Sequence, residues 1–374
     1  MLDALVASDS LRRRVTPSYW LTSAESPLQR TYQRTALPHR LARVVHRVAG
    51  EPGWLRRTVV RRFLADLREG DVAWLFPSVD AAAYRAVRDR GGAAVMEVVN
   101  TALPSHRDAL LRAHAAIGWP PTGIPGEAEI ADESERVRLA DYLFTCSPWT
   151  SRSLTAIGAQ PGQLLPSSYG WDPASFRPEP QRSDRPRFLF VANGIVRKGL
   201  PHLLRAWERA APRATLVLVG DLAPEIAERC QAQLRRPDVE HHPHTGDLAG
   251  LYGRADAFVL PSFEEGSPLV TYLALAAGLP CLLSPEAAGW VVREGQEGLL
   301  APPDDEAAWV ELLRRVAEDR PLREQLGAHA LLRSHDFTWA RVIERRCAVL
   351  LQRLDERAGR TPPPGLPQTP PTGP

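Results

Sequence analysis

The sequence all but omits lysine: of its 46 Lys and Arg side chains, Lys198 alone is lysine. Cysteine is scarce too, and Cys146, Cys230, Cys281 and Cys347 are spread without a paired spacing. That excludes a zinc knuckle and a disulfide framework and reads as reduced, buried thiols. No apolar run approaches the roughly 20 residues of a membrane span, and the opening MLDALVASDSLRRR lacks the apolar core of a secretory signal, so the expected location is cytoplasmic. Charge of one sign is not in excess either. With 46 basic and 44 acidic side chains and a formal net charge of +2, no chain-wide field favours nucleic acid.

What is present suits two ordinary globular domains: 374 residues, 44% hydrophobic and 24% charged. From about residue 72 short β-branched runs alternate with helical patterns, which predicts an α/β fold with parallel sheets. Strands are expected at 72–77, 93–100, 142–147 and 163–168. The proline-dense segment 169–187 then marks a domain boundary. A second series begins at RFLFVAN and gives five strands separated by helices, a nucleotide-binding type of domain. The expected organisation is a first domain over 1–180, a second over 181–340, a closing helix over 341–360 and a disordered proline-rich tail over 361–374.

Codon bias accounts for arginine everywhere but not for the exception. Lys198 falls where the strand at 188–193 turns into a helix, the edge at which open α/β sheets bind ligands. Helix amino termini favour phosphate, and an ammonium follows phosphate oxygens as a point charge where a guanidinium imposes a planar fork. The bland alternative is a solvated helix start. A second segment, LPSFEEGSPLVTYLALAAGLP (260–280), repeats the pattern of strand, turn and helix. Ser267 is read as its N-cap, Pro268 as its first helical residue, and Glu265 as an acceptor for ligand hydroxyls.

In this order, RKG, then EGSPLV…AAGLP and EGLLAPPDD, the chain resembles the donor-binding domain of retaining family 4 glycosyltransferases of GT-B fold, closely over 186–340. EVVNT, LADYLFTCSPWTSRSL and YGWDPASFRP extend the resemblance weakly into the first half. It implies two Rossmann-like domains with parallel sheets facing a central cleft. It also implies that Lys198, assisted by Arg197, contacts a donor diphosphate, while Glu265 and the backbone of Gly266, Ser267, Pro268 and Leu269 hold the sugar. The donor is then a nucleotide sugar, the acceptor a glycan or lipid-linked glycan in surface polysaccharide synthesis, and neither metal nor cofactor is required. His106 would act near the acceptor, with Glu97 and Asn100 as further candidates on the same stretch. His241, His242 and His244 lie at a strand end that could approach the base.

Three features depart from the family pattern. Leu273 stands where a second glutamate binds the ribose, and Asn193 and Ala192 where many members carry an arginine. The chain also opens on a helix-like stretch where a strand and glycine loop are expected, so the first domain reads as reduced. These favour an alternative, a degenerate non-catalytic member that binds glycan or a partner; an epimerase or phosphorylase on the same scaffold is a third reading. Finally, residues 39–67 set Leu41, Val44, Val45 and Val48 against Arg40, Arg43 and Arg47, then add Arg56, Arg57, Arg61 and Arg62. That is either a solvated helix face or a peripheral contact with anionic lipid.

Overall fold

Alternating apolar runs and amphipathic helices produce two parallel sheets. The computed structural model describes residues 19–21, 33–35 and 53–359 except 78, 182 and 244, so the tail, residues 40–48 and His244 lie outside the described residues. Strands β1 (Tyr19–Leu21) and β2 (Gln33–Thr35) form a small parallel pair. Helix α1 (Gly53–Asp66) then leads into a four-stranded sheet of β3 (Val72–Leu75), β4 (Ala93–Glu97), β5 (Tyr142–Thr145) and β6 (Leu164–Pro166), adjacent in that order. The crossovers are α2 (Ala81–Asp89), α3 (Leu103–Ile117), α4 (Glu127–Leu139) and α5 (Pro148–Ala156). Local chemistry starts these helices: Asp80 caps α2 through Ala83 N, and Ser147 caps α5 through Thr150 N with Pro148 in the first turn.

The second sheet has six parallel strands: β7 (Arg187–Val191), β8 (Thr215–Val219), β9 (Val239–His242), β10 (Ala257–Leu260), β11 (Cys281–Leu283) and β12 (Gly298–Leu300). Their spatial order is β12-β11-β10-β7-β8-β9, the Rossmann arrangement, in which the chain reverses direction across the sheet between β7 and β10. Between them run α6 (Leu200–Ala210), the short α7 (Pro224–Arg229) and α8 (Gln231–Leu234), α9 (Leu248–Gly253), α10 (Leu269–Ala276) and α11 (Pro285–Ala288). Five strands were expected here. The sixth, β12, adds to β11 at the edge through Cys281–Leu283.

After α12 (Glu306–Glu318) and α13 (Arg320–Ser334), the last helix α14 (Trp339–Arg357) returns to the first sheet. Its Leu350 packs with Val95, Tyr142, Phe144 and Leu165, and Tyr142 Oη donates to Arg353 O at 3.0 Å. The two strands of chain that connect the halves run side by side: Trp171 N donates to Phe337 O and Trp339 N to Trp171 O, both at 2.9 Å. Gly170 is required there, since a Cβ would come within 2.6 Å of Phe337 O.

Candidate active site

The switch in strand order separates the turn after β7 from the turn after β10 and opens a crevice between them. Into it the first turn carries a single 3-10 turn, Val196–Lys198, ending at Gly199. Gly199 has φ +73°, and a Cβ there would stand 2.0 Å from Pro261 O, so both the left-handed backbone and the close approach demand glycine. Phe263 N donates to Arg197 O at 2.9 Å, locking the two turns together. As a result Lys198 Nζ lies 2.5 Å from Glu265 Oε1, which also accepts from Ser262 Oγ at 2.7 Å. The Lys198 and Glu265 side chains are 17% and 5% exposed, so the pair is partly desolvated and only lightly screened. An ammonium has three donors; Glu265 takes one and leaves two for a ligand.

Beside this pair lies a carboxylate that sequence reasoning passed over. Glu264 is buried and accepts from Thr101 N at 2.9 Å, Thr101 Oγ1 at 2.8 Å, His106 Nδ1 at 3.0 Å and Arg197 Nη1 at 2.8 Å. Burial alone would raise its pKa. The His106 hydrogen bond, the charges of Arg197 and His106, and the Thr101 amide outweigh burial and bring the value down to about 2. Arg197, expected to assist Lys198, commits Nη1 to the Glu264 carboxylate and carbonyl, the latter at 2.9 Å. The doubled glutamate before a glycine was the available signal, because successive side chains of an extended turn point opposite ways.

The amino-terminal half meets the crevice through the segment after β4. Gly266 packs so tightly on it that a Cβ would fall 1.8 Å from Val99 O. The same segment lines a cavity of about 520 Å³ whose walls include Asn100, Thr101, Asp132, Glu133 and Arg136. Glu133 accepts from Leu103 N at 2.6 Å and its pKa is raised by burial, which outweighs the lowering by that amide, Arg136 and His106. Glu97, weighed above as a site residue, lines this cavity and has its carboxylate tied into the fold. Its two oxygens each sit 2.9 Å from Arg346 Nη1, one of them accepts from Trp74 Nε1, and neither Glu97 nor Arg346 is measurably open to water.

The N-cap assigned to Ser267 is a correction. Pro268 is still extended (φ −68°, ψ 122°) and is itself the cap, so α10 begins at Leu269. The Ser267 hydroxyl sits 2.6 Å from Tyr272 Oη, which accepts from Tyr169 N in the linker between the halves. Leu273 packs with Val270 and Ala277 against the core, and Asn193 is exposed. His241 Nε2 lies 2.8 Å from Gly220 O and His242 Nε2 lies 3.6 Å from Glu240. On α1, Arg57, Arg61 and Arg62 are exposed while Val59 is buried. No helix among the described residues is long and apolar enough to cross a membrane, and no group of three or more potential metal ligands occurs among them.

Two Rossmann-like units with a shared cleft define a GT-B protein. Anabaena HepE in complex with UDP has the same fold, with a TM-score of 0.67 and 14% identity over 90% of this chain and 100% of that one. Sucrose-phosphate synthase of Thermosynechococcus elongatus gives 0.64 and 20% over 80% and 77%. Residues 185–319, which contain Lys198 and Glu265, match the family model of glycosyl transferases group 1. Glycogen synthase of Mycobacterium tuberculosis is 32% identical over 253 residues, 63% of this chain and 60% of that protein. D-inositol 3-phosphate glycosyltransferase of Nocardioides sp. is 27% identical over 301 residues, 71% and 63% respectively. The chain thus spans about 60% of the length of the curated relatives it matches.

Proposed function

We propose that the chain is a retaining glycosyltransferase that moves a sugar from a nucleotide diphosphate to a hydroxyl of a glycan or lipid-linked glycan, in surface polysaccharide assembly at the inner face of the cell membrane. The observation that carries the reading is the convergence of Lys198 Nζ and Glu265 Oε1 at 2.5 Å in the switch-point crevice. HepE, which shares the fold, was determined with UDP and with UDP-glucose, and the curated relatives are named as enzymes that transfer sugars.

In this reading the bond from the anomeric carbon to the diphosphate breaks with its electrons on the phosphate oxygen. Lys198 stabilises that charge as it develops, with the amides at the start of α10 as further donors. Glu265 accepts from sugar hydroxyls and so positions the ring. The acceptor oxygen bonds to the anomeric carbon on the face the diphosphate leaves, and a phosphate oxygen takes its proton. The acceptor approaches from the amino-terminal half, where the cavity beside Asn100 and Thr101 opens.

The competing reading, a binding protein without catalysis, is favoured by one observation: Leu273, where the resemblance implies a ribose-binding glutamate, is packed against the core. Calorimetric titration with UDP separates the two. Saturable binding that Lys198→Ala weakens at least tenfold, about 1.4 kcal/mol, supports the transferase. Absence of binding to a panel of nucleoside diphosphates overturns it.

A further inference from the structure

We propose that Glu264 is a positioning residue: it holds the two halves in their closed arrangement and fixes the tautomer of His106. The proposal rests on the transferase reading only for the reaction it serves; the geometry is independent of it. Glu264 follows β10 in the second half, yet three of its four hydrogen bonds come from the first, namely Thr101 N, Thr101 Oγ1 and His106 Nδ1. The fourth, from Arg197, returns to its own half. Each of the three exists only while the halves touch. Glu265 is the opposite case, because both its partners, Ser262 and Lys198, belong to its own half. Of two successive carboxylates, one furnishes the crevice and the other spans it.

The chemistry of the His106 contact is restrictive. An ionised carboxylate only accepts, so Nδ1 must carry the hydrogen, and Nε2 is left as the nitrogen that can exchange a proton with a bound group. Nε2 has no hydrogen bond among the described residues. His106 stands at the first turn of α3, held by Ala102 N donating to Ser153 Oγ and Leu103 N to Glu133. The ring is thus anchored at its backbone by the first half and at its edge by the second. Opening the crevice releases the edge, so His106 is correctly oriented only in the closed molecule. Glu133 is the other acid facing His106, and it serves as the control.

The test uses the whole chain. Long-range 1H–15N spectra of the histidine rings are recorded for the unmodified protein, E264Q and E133Q, alongside UDP calorimetry and the rate of UDP-glucose hydrolysis. The unmodified protein and E133Q are expected to show His106 with hydrogen on Nδ1, and E264Q a mixture of tautomers, because an amide can present either an acceptor or a donor. E264Q is expected to lower kcat at least tenfold with the UDP Kd held within twofold, and E264D to recover part of kcat. An unchanged tautomer in E264Q, or a fall in kcat matched by a rise in the UDP Kd, overturns the proposal. Should E264Q not fold, Thr101→Val removes one of the four bonds and is expected to enlarge the radius of gyration in solution scattering; an unchanged radius overturns the proposal equally. A chain that binds no member of a panel of nucleoside diphosphates but shows the expected tautomers refutes the transferase reading and leaves Glu264 its role.

Discussion

The carboxyl-terminal sheet rests on hydrocarbon, whereas the amino-terminal sheet is fastened by charge. Around β7 and β10, the side chains of Phe188, Phe190, Trp207, Tyr252 and Phe258 are essentially sealed from water. The first sheet has a smaller apolar core and places a guanidinium inside it. Arg346 bonds Glu97 and, at 2.7 Å, Ser167 Oγ, and it lies 5.0 Å and 5.4 Å from the centres of the Phe144 and Tyr169 rings. The half that carries Lys198 is built on one large apolar cluster, to which Ala113, Ile117 and Cys146 of the first half also contribute. The other half borrows a helix from the far end of the chain.

This contrast is sharpest under substitution. Arg346→Met leaves Glu97 buried and unpaired and is expected to cost about 3–5 kcal/mol in urea unfolding. Hydrogen exchange should locate the loss in β3–β6; equal loss of protection in β7–β12 would erase the distinction between the halves.

Acid probes the second half. His202, at the start of α6, is buried against Phe263 with ring centres 4.6 Å apart, and neither ring nitrogen has a partner among the described residues. Burial, with the charge of Arg205 adding to it, pushes its pKa down to about 4. The folded molecule therefore keeps His202 neutral where the unfolded chain protonates it, and stability falls as pH drops from about 6.5 to about 4. Roughly 2–3 kcal/mol should disappear over that window, and His202→Phe should flatten it in thermal melts across pH. Glu264 acts in a lower window: its contribution is complete above about 4.5 and is lost as pH falls toward about 2.

The contact between the halves is tested by Gly266→Ala. With Val99 O in the place of the new methyl, the crevice cannot close, and UDP-glucose turnover is expected to fall about tenfold with a larger scattering radius. The smallest expected effect is Leu273→Glu. At a position partly buried against the core it places a carboxylate where the resemblance implies a ribose acceptor, and it should tighten UDP about fivefold by calorimetry, roughly 1 kcal/mol. Weaker binding would mean that hydrocarbon at this position is part of the site.

The same asymmetry governs what the sequence makes legible. The central strands of the second sheet are buried on two faces, so RFLFV, TLVLV and AFVL read as continuous apolar runs. The three residues of β12 are too short a run to stand out from their turn. Lys198 and Glu265 were readable because each follows a strand by a few residues, and strand order alone brings them together. Glu264 was hidden because its partners Thr101 and His106 lie about 160 positions away, and the ion pair of Glu97 was hidden because Arg346 lies 249 positions away. Ser267 failed as a cap for a local reason: Tyr272, one turn further on, already occupies its hydroxyl.

Helix α14 also bears on synthesis. A nascent chain emerging from the ribosome usually completes its first domain before its second. Here the Glu97 carboxylate of the earlier half lacks its cation until residue 346 is translated. Severing the gene at the linker would therefore part Glu97 from its cation, and co-expressing residues 339–357 as a separate peptide would be the way to restore the pair.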